Sequence, residues 1–214
     1  MIQKNLLIIT FAITLISIVI ICGCSVTMPE KAEINPLRFY RYPNANMSKI
    51  GRVVILELDN ESANQNLGSD ITIALAEEIQ KKQIFGLDTL TKSNPKWRSI
   101  DIDQDKPITA EQLLDIHSKF NADAVLFGQV THYRPYPRNS IGLKLKLLDC
   151  QTGQMLWAID QVWDSTDVAI ENRIQSFFNK QMRSGYEPME WEITMLSPRI
   201  YNKYVAYEIA RTLE

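Results

Sequence analysis

Apolar and polar positions change period several times along the chain, and each change marks an element. Leu6 to Ile21 (LLIITFAITLISIVII) runs 16 residues without a charge, and Lys4 stands just ahead of it. Residues 25–49 hold Pro29, Pro36 and Pro43 and keep no steady period, which predicts a tether and irregular chain. Folded structure is expected from near Ile50. Arg52 to Leu58 (RVVILEL), bounded by Gly51 and Asp59-Asn60-Glu61, predicts a buried strand. Gly68-Ser69-Asp70 offers a helix start, and Ile71, Leu75 and Ile79 mark one face running to about Lys82. Phe85 to Leu90 reads as a second strand, and the polar stretch Ser93 to Pro107 as a loop.

A capping box opens the next helix. Thr109 and Gln112 stand three apart, so each side chain reaches the other's backbone N–H. Leu113, Ile116, His117 and Phe120 follow on one face. Ala122 to Val130 predicts a strand, and Ile141 to Leu148 alternates Leu143, Leu145 and Leu147 with Lys144 and Lys146. Gln154 to Trp163 completes a hairpin across a short Asp/Gly turn. Ser165-Thr166-Asp167 caps a helix with Ile170, Ile174, Phe177 and Phe178 on its apolar face and Gly185 at its end. A last helix starts at Ser197-Pro198, with Tyr201, Val205, Ile209 and Leu213 as its stripe. The order β-α-β-α-β-β-β-α-α defines the α/β class, a mixed sheet with an antiparallel hairpin and helices packed on it.

The N-terminal run decides the compartment. Sixteen residues are few for a hydrocarbon core roughly 30 Å thick, which takes about 20, and fit the h-region of a secretory signal better. An uncleaved membrane anchor is the alternative. Either way the bulk of the chain lies outside the cytoplasm. Ile21-Cys22-Gly23-Cys24, with a small residue just before a cysteine, resembles the lipobox of bacterial lipoproteins. The resemblance implies cleavage after Gly23 and acylation of Cys24, and Ser25 then goes with outer-membrane residence facing the periplasm. The chain is thereby divided into a signal at 1–23, a tether at 24–49 and a single domain at 50–214.

Removing residues 1–23 leaves 191 of the 214 residues, with 22 basic side chains against 25 acidic ones. That balance excludes a nucleic-acid binder, which shows a basic excess. Of three cysteines, only Cys150 is left as a free thiol, so a disulfide scaffold is excluded. Cys150 falls in the turn Asp149-Cys150-Gln151-Thr152-Gly153 and reads as incidental.

The opening strand Arg52-Val53-Val54-Ile55-Leu56 with its Asp59-Asn60-Glu61-Ser62 loop resembles a group of periplasmic domains. So do Ala122-Asp123-Ala124-Val125-Leu126-Phe127-Gly128 and Leu148-Asp149 followed by Thr152-Gly153-Gln154-Met155-Leu156-Trp157. The group comprises the curli-channel lipoprotein, the penicillin-binding-protein activators and the N-terminal domain of the Tol translocation protein. The resemblance spans Gly51 to Asp164 and consists of fold motifs, none of them catalytic. It implies a membrane-anchored envelope lipoprotein acting as a non-enzymatic accessory or docking protein. The alternative is a subunit of an oligomeric outer-membrane export channel of the curli-secretion type. A channel requires spare membrane strands of about 9–11 residues, and the 141–163 hairpin already serves the sheet.

Candidate chemistry is sparse. The sequence has no GxSxG, P-loop, GxGxxG or HExxH motif, so no enzyme activity and no cofactor is expected. His117 reads as a boundary histidine on an apolar face and His132 as a strand end, so no metal site is expected. Asp101, Asp103 and Asp105 lack the glycine and closing glutamate of a calcium loop and read as solvated. Two loops mix Arg, Tyr and Pro, the residue types of interface anchors and of chain ordered in advance. These are Arg38 to Pro43 and Tyr133 to Arg138. The first is read as packing along a sheet edge or as a presented surface. In the second, Tyr133, Arg134, Tyr136 and Arg138 are candidate partner-binding residues, with inward packing of the rings as the alternative. Glu187 to Glu192 is a third stretch of this kind. The expected partners are the membrane, through the lipid, and an envelope protein or polymer, with no nucleic acid. Radiolabelled palmitate is expected to enter the wild-type chain and to be absent from Cys24→Ser, whereas equal labelling of both removes the anchor assignment.

Overall fold

The computed structural model describes residues 37–62, 64–100, 102, 106–182 and 189–214. Its strands are β1 (Phe39–Arg41), β2 (Arg52–Leu56), β3 (Asp59–Asn60), β4 (Gly86–Leu90), β5 (Ala124–Arg134), β6 (Ser140–Asp149) and β7 (Met155–Asp164). Its helices are α1 (Leu67–Lys82), α2 (Ala110–Phe120), α3 (Val168–Gln181), α4 (Glu192–Leu196) and α5 (Pro198–Arg211). The strands form one mixed sheet in the order β1-β7-β6-β5-β2-β4, and β3 continues the pairing along β5. β2 runs parallel to both β4 and β5, while β5, β6, β7 and β1 are antiparallel in turn.

Two crossovers in opposite directions set the layers: α1 joins β2 to β4, and α2 joins β4 back past β2 to β5. β4 and β5 lie on opposite sides of β2, so right-handed crossovers put α1 and α2 on opposite faces. β2 is accordingly buried on both: Val53 and Ile55 join the α1 core, and Val54 and Leu56 the α2 core. The first core also holds α3, α4 and α5 side chains and the inner row of the hairpin, Leu143, Leu145, Leu147, Trp157, Ile159 and Trp163. α2 covers the other face with Leu113, Ile116 and Phe120 against Val125, Phe127 and Cys150. Lys144 and Lys146 point to solvent, so the alternation in β6 is the one its residues predict.

Local signals explain most element ends. Thr109 accepts a hydrogen bond from the Gln112 N–H, and the Gln112 side chain accepts one from the Thr109 N–H, at 3.3 and 2.8 Å. The Asp149 carboxylate accepts the backbone N–H of Gln151 and Thr152 at 2.9 and 2.7 Å and closes the hairpin turn. Asp167 caps α3 through the Ala169 N–H at 2.8 Å. α3 ends at Gln181, and Gly185, expected as its stop, lies outside the described residues.

Three expectations are corrected. Folded structure begins before Ile50: β1 pairs with β7 and Met47 is buried, because the outer edge of β7 otherwise keeps its backbone groups unpaired. The span expected to be tether and irregular chain therefore contributes a strand. Helix α1 starts at Leu67, so Gly68, Ser69 and Asp70 form its first turn rather than its cap. The reason is a close approach. A Cβ on Gly68 meets the Leu58 carbonyl oxygen at 2.2 Å, and Thr72 Oγ1 accepts the Leu58 N–H at 3.0 Å while donating to Gly68 O at 2.6 Å. Finally, Tyr133 and Arg134 belong to β5, paired with Ile141 and Ser140, so the loop before β6 is 135–139.

Gly68→Ala is expected to lower stability by about 1–3 kcal/mol, since helix and strand must separate to admit the methyl group. Gln80→Ala on the exposed side of the same helix stays within about 0.5 kcal/mol. Urea melts of the two variants check the difference.

Candidate docking surface

The β5–β6 loop stands on a rigid base. The Asn139 side chain is buried and donates from Nδ2 to the Met195 carbonyl at 2.6 Å. The Asn139 carbonyl accepts the Ser165 N–H at 3.0 Å. Arg138 leans back, with Nη1 at 3.4 Å from both the Ser165 carbonyl and Met195 Sδ. Arg134 Nη2 pairs with Asp164 Oδ2 at 2.8 Å. Burial alone raises the Asp164 pKa, but hydrogen bonds from Thr166 and the Arg134 charge outweigh it and hold the carboxyl below its ordinary range.

The four candidate residues therefore separate. Tyr133 lies half-buried against the main core, and burial raises its hydroxyl pKa. Arg138 serves the base of the loop. Tyr136 projects outward, 82% exposed, between Pro135 and Pro137. Arg134 remains partly exposed beside its carboxylate partner. Sequence reasoning did not find the seat of the loop. Met195 belongs to α4, one turn of helix too short to show a period. The flagged stretch 187–192 leads into it, and of that stretch 187 and 188 lie outside the described residues. Met195, three residues beyond the third flagged stretch, thus meets Arg138 of the second, and Leu196 beside it is exposed.

The remaining reactive groups hold structure together. His117 Nδ1 lies 2.7 Å from the Ala122 carbonyl, joining the end of α2 to the start of β5. His132 lines a cleft of about 400 Å³ with Asp59, Glu61, Gln129 and Tyr133, and Asp59 is paired with Lys92 Nζ at 2.6 Å. Cys150 is buried, and desolvation with the charges of Asp149 and Asp123 pushes its thiol up to about 12, far from a reactive thiolate. Among the described residues no group of three His, Cys, Asp or Glu side chains is placed to hold a metal ion. Residues 101 and 103–105, which carry the three aspartates, lie outside the described residues. No helix among the described residues is long and apolar enough to cross a membrane.

Arg38 to Pro43 takes the sheet-edge reading, since Phe39, Tyr40 and Arg41 pair with Ile159, Ala158 and Trp157. The Phe39 and Tyr40 rings nonetheless stay well exposed.

No protein-family model and no curated protein matches the chain. Solved structures do resemble it. The PelC dodecamer from Paraburkholderia phytofirmans is 16% identical, covering 63% of this chain and 86% of that one, with a TM-score of 0.43. Lipoprotein GNA1162 from Neisseria meningitidis is 18% identical over 63% of this chain and 99% of that one, TM-score 0.45. The C-terminal domain of LpoB from Escherichia coli is 18% identical over 55% of this chain and 86% of that one, TM-score 0.38. The likeness concerns the arrangement of elements.

Tyr136→Ala is expected to leave stability within about 0.5 kcal/mol, the ordinary range for an exposed side chain. Asn139→Ala is expected to cost about 1–3 kcal/mol, because it strands the buried Met195 carbonyl. Thermal melts of both variants check the contrast.

Proposed function

We propose that the chain is a lipid-anchored accessory protein of the bacterial envelope. Acyl chains on Cys24 hold it at the outer membrane facing the periplasm, and its β5–β6 loop docks on an envelope protein or polymer. The observation that carries the reading is the presentation of Tyr136. Its ring is 82% exposed on a loop clamped at both ends by Arg134–Asp164, Asn139–Met195 and Arg138–Ser165 contacts. An aromatic ring held ready in this way loses little entropy on binding. Arg134 supplies a planar donor beside it, suited to a carboxylate or phosphate. No catalytic step is assigned. The thiol and His117 are committed to packing and backbone contacts.

The export-channel alternative asks the long hairpin to face lipid. β6 and β7 instead pair with each other and with β5 and β1, and their inner row lies under helices.

Two measurements test the reading. A photo-crosslinker at position 136 is expected to give a discrete adduct in cells, absent when the probe replaces Lys81 on the exposed side of α1. Identical adduct patterns from the two positions overturn the docking site. Detergent-extracted protein is expected to run as a monomer or small oligomer, and a large ring transfers the assignment to a channel.

A further inference from the structure

One face of the sheet is only half covered. α2 packs over β2, β4 and β5, and the same face of β6, β7 and β1 carries no helix among the described residues. One cross-strand row there is Lys146, Ala158 and Tyr40; the next pairs Lys144 with Asp160. With Arg38 these residues line an open groove of about 450 Å³. Three cations stand against one carboxylate, in a chain whose formal net charge is −2. The ring of Tyr40 is 42% exposed, and Val162, one row beyond Asp160 and opposite Gly142, is 48% exposed.

The described chain begins at the edge of this face, beside β1. Arg38 and Tyr40 sit at and within β1, the first strand described, and 13 residues separate Arg38 from Cys24. Fully extended, that span reaches about 50 Å, so an acylated Cys24 leaves the groove able to reach the bilayer. Acyl chains fix a protein's distance from a membrane and leave its orientation free. A patch of cations with an amphipathic ring supplies orientation, because cations favour anionic headgroups and Tyr favours the headgroup layer.

We infer that the open face of β6, β7 and β1 lies on the anionic lipid surface of the membrane that holds Cys24. Arg38, Lys144 and Lys146 meet lipid phosphates there, and Tyr40 and Val162 enter the headgroup layer. The helical layer of α1, α3 and α5 then faces away from the membrane. The inference rests on the anchored-lipoprotein reading and concerns a different surface from the Tyr136 loop.

The test uses the mature acylated chain in vesicles of phosphatidylcholine, with or without phosphatidylglycerol, containing spin-labelled lipid. A fluorophore is attached at Val162→Cys on the open face or at Glu77→Cys on the exposed side of α1. Cys24 is blocked by its acyl chain and Cys150 is 1% exposed, so labelling is confined to the introduced thiol. The expected result is quenching several-fold stronger at position 162 than at 77 in phosphatidylglycerol vesicles. The contrast is expected to disappear in pure phosphatidylcholine, in about 0.5 M salt, where screening is short-ranged, and in Lys144→Gln with Lys146→Gln. Both lysines are exposed, so that double variant keeps its melting temperature; Arg38→Gln gives a second, partial loss. Equal quenching at the two positions overturns the inference, as does a contrast indifferent to phosphatidylglycerol. A label at 162 shielded from both lipid and aqueous iodide means that a second copy of the chain covers the face, and also overturns it. Protein that fails to float with vesicles overturns the anchor and this inference together, whereas floating protein with equal quenching overturns this inference alone.

Discussion

The hairpin of β6 and β7 is apolar on one side, and covering that side organises the molecule. Ile141, Leu143, Leu145 and Leu147 line it with Trp157, Ile159 and Trp163, all of them buried. Two tryptophans in the row dominate it, since each aromatic of this size buries some 150–250 Å². Neither α1 nor α2 reaches across the whole hairpin. The C-terminal helices complete the cover: Tyr201, Tyr204, Val205 and Ile209 of α5 join the same core, and Trp157 Nε1 donates to Thr212 Oγ1 at 3.1 Å. The segment after Asp164, which lies beyond the resemblance of Gly51 to Asp164, is therefore the lid of the main core.

That lid carries charge into the interior. Arg173 Nε of α3 lies 2.8 Å from Glu208 Oε2 of α5, and the Glu208 residue is 2% exposed. Tyr204 sits beside the pair, and burial raises its hydroxyl pKa well above the ordinary value. A pair this deep adds little net stability over an apolar contact of the same shape, but removing one partner leaves the other charge stranded. Together with the edge-on contact of Phe177 and Tyr204 at 5.6 Å, it holds α3 and α5 in one register. α4, lying between them in the chain, is held in turn, and Met195 becomes a fixed seat for the β5–β6 loop.

The two candidate surfaces follow from this one-sided burial. Helices gather on the hairpin's apolar side, so its Lys144 and Lys146 side is left open next to β1. The turn at the other end of the hairpin is held by Asp149, while the end near Ser140 and Asp164 carries the clamped Tyr136 loop. Structural rigidity and exposed recognition groups arise in the same few residues, with Arg134 and Asp164 serving both.

Elements set by local chemistry were legible in the chain by itself. The Thr109–Gln112 box, the Asp149 turn, the Asp167 cap and the alternation of Leu143 to Leu147 all depend on residues within a few positions of one another. The buried faces of α1 and α5 were readable for the same reason, since a helical period is written every three or four residues. What lay outside local reach was decided by tertiary structure. β1 has no strand signal of its own and exists because β7 offers it an edge. The start of α1 shifts because Gly68 must meet the Leu58 backbone. The turn residue Cys150 is drawn under α2, and Tyr133 and Tyr136, alike in sequence, part company because only one faces a core. The sequence by itself determined which stretches become strand, helix and turn, because those preferences are carried by neighbouring residues. Tertiary structure alone decided which Arg and Tyr side chains remain outside, because exposure depends on what packs on them from across the chain.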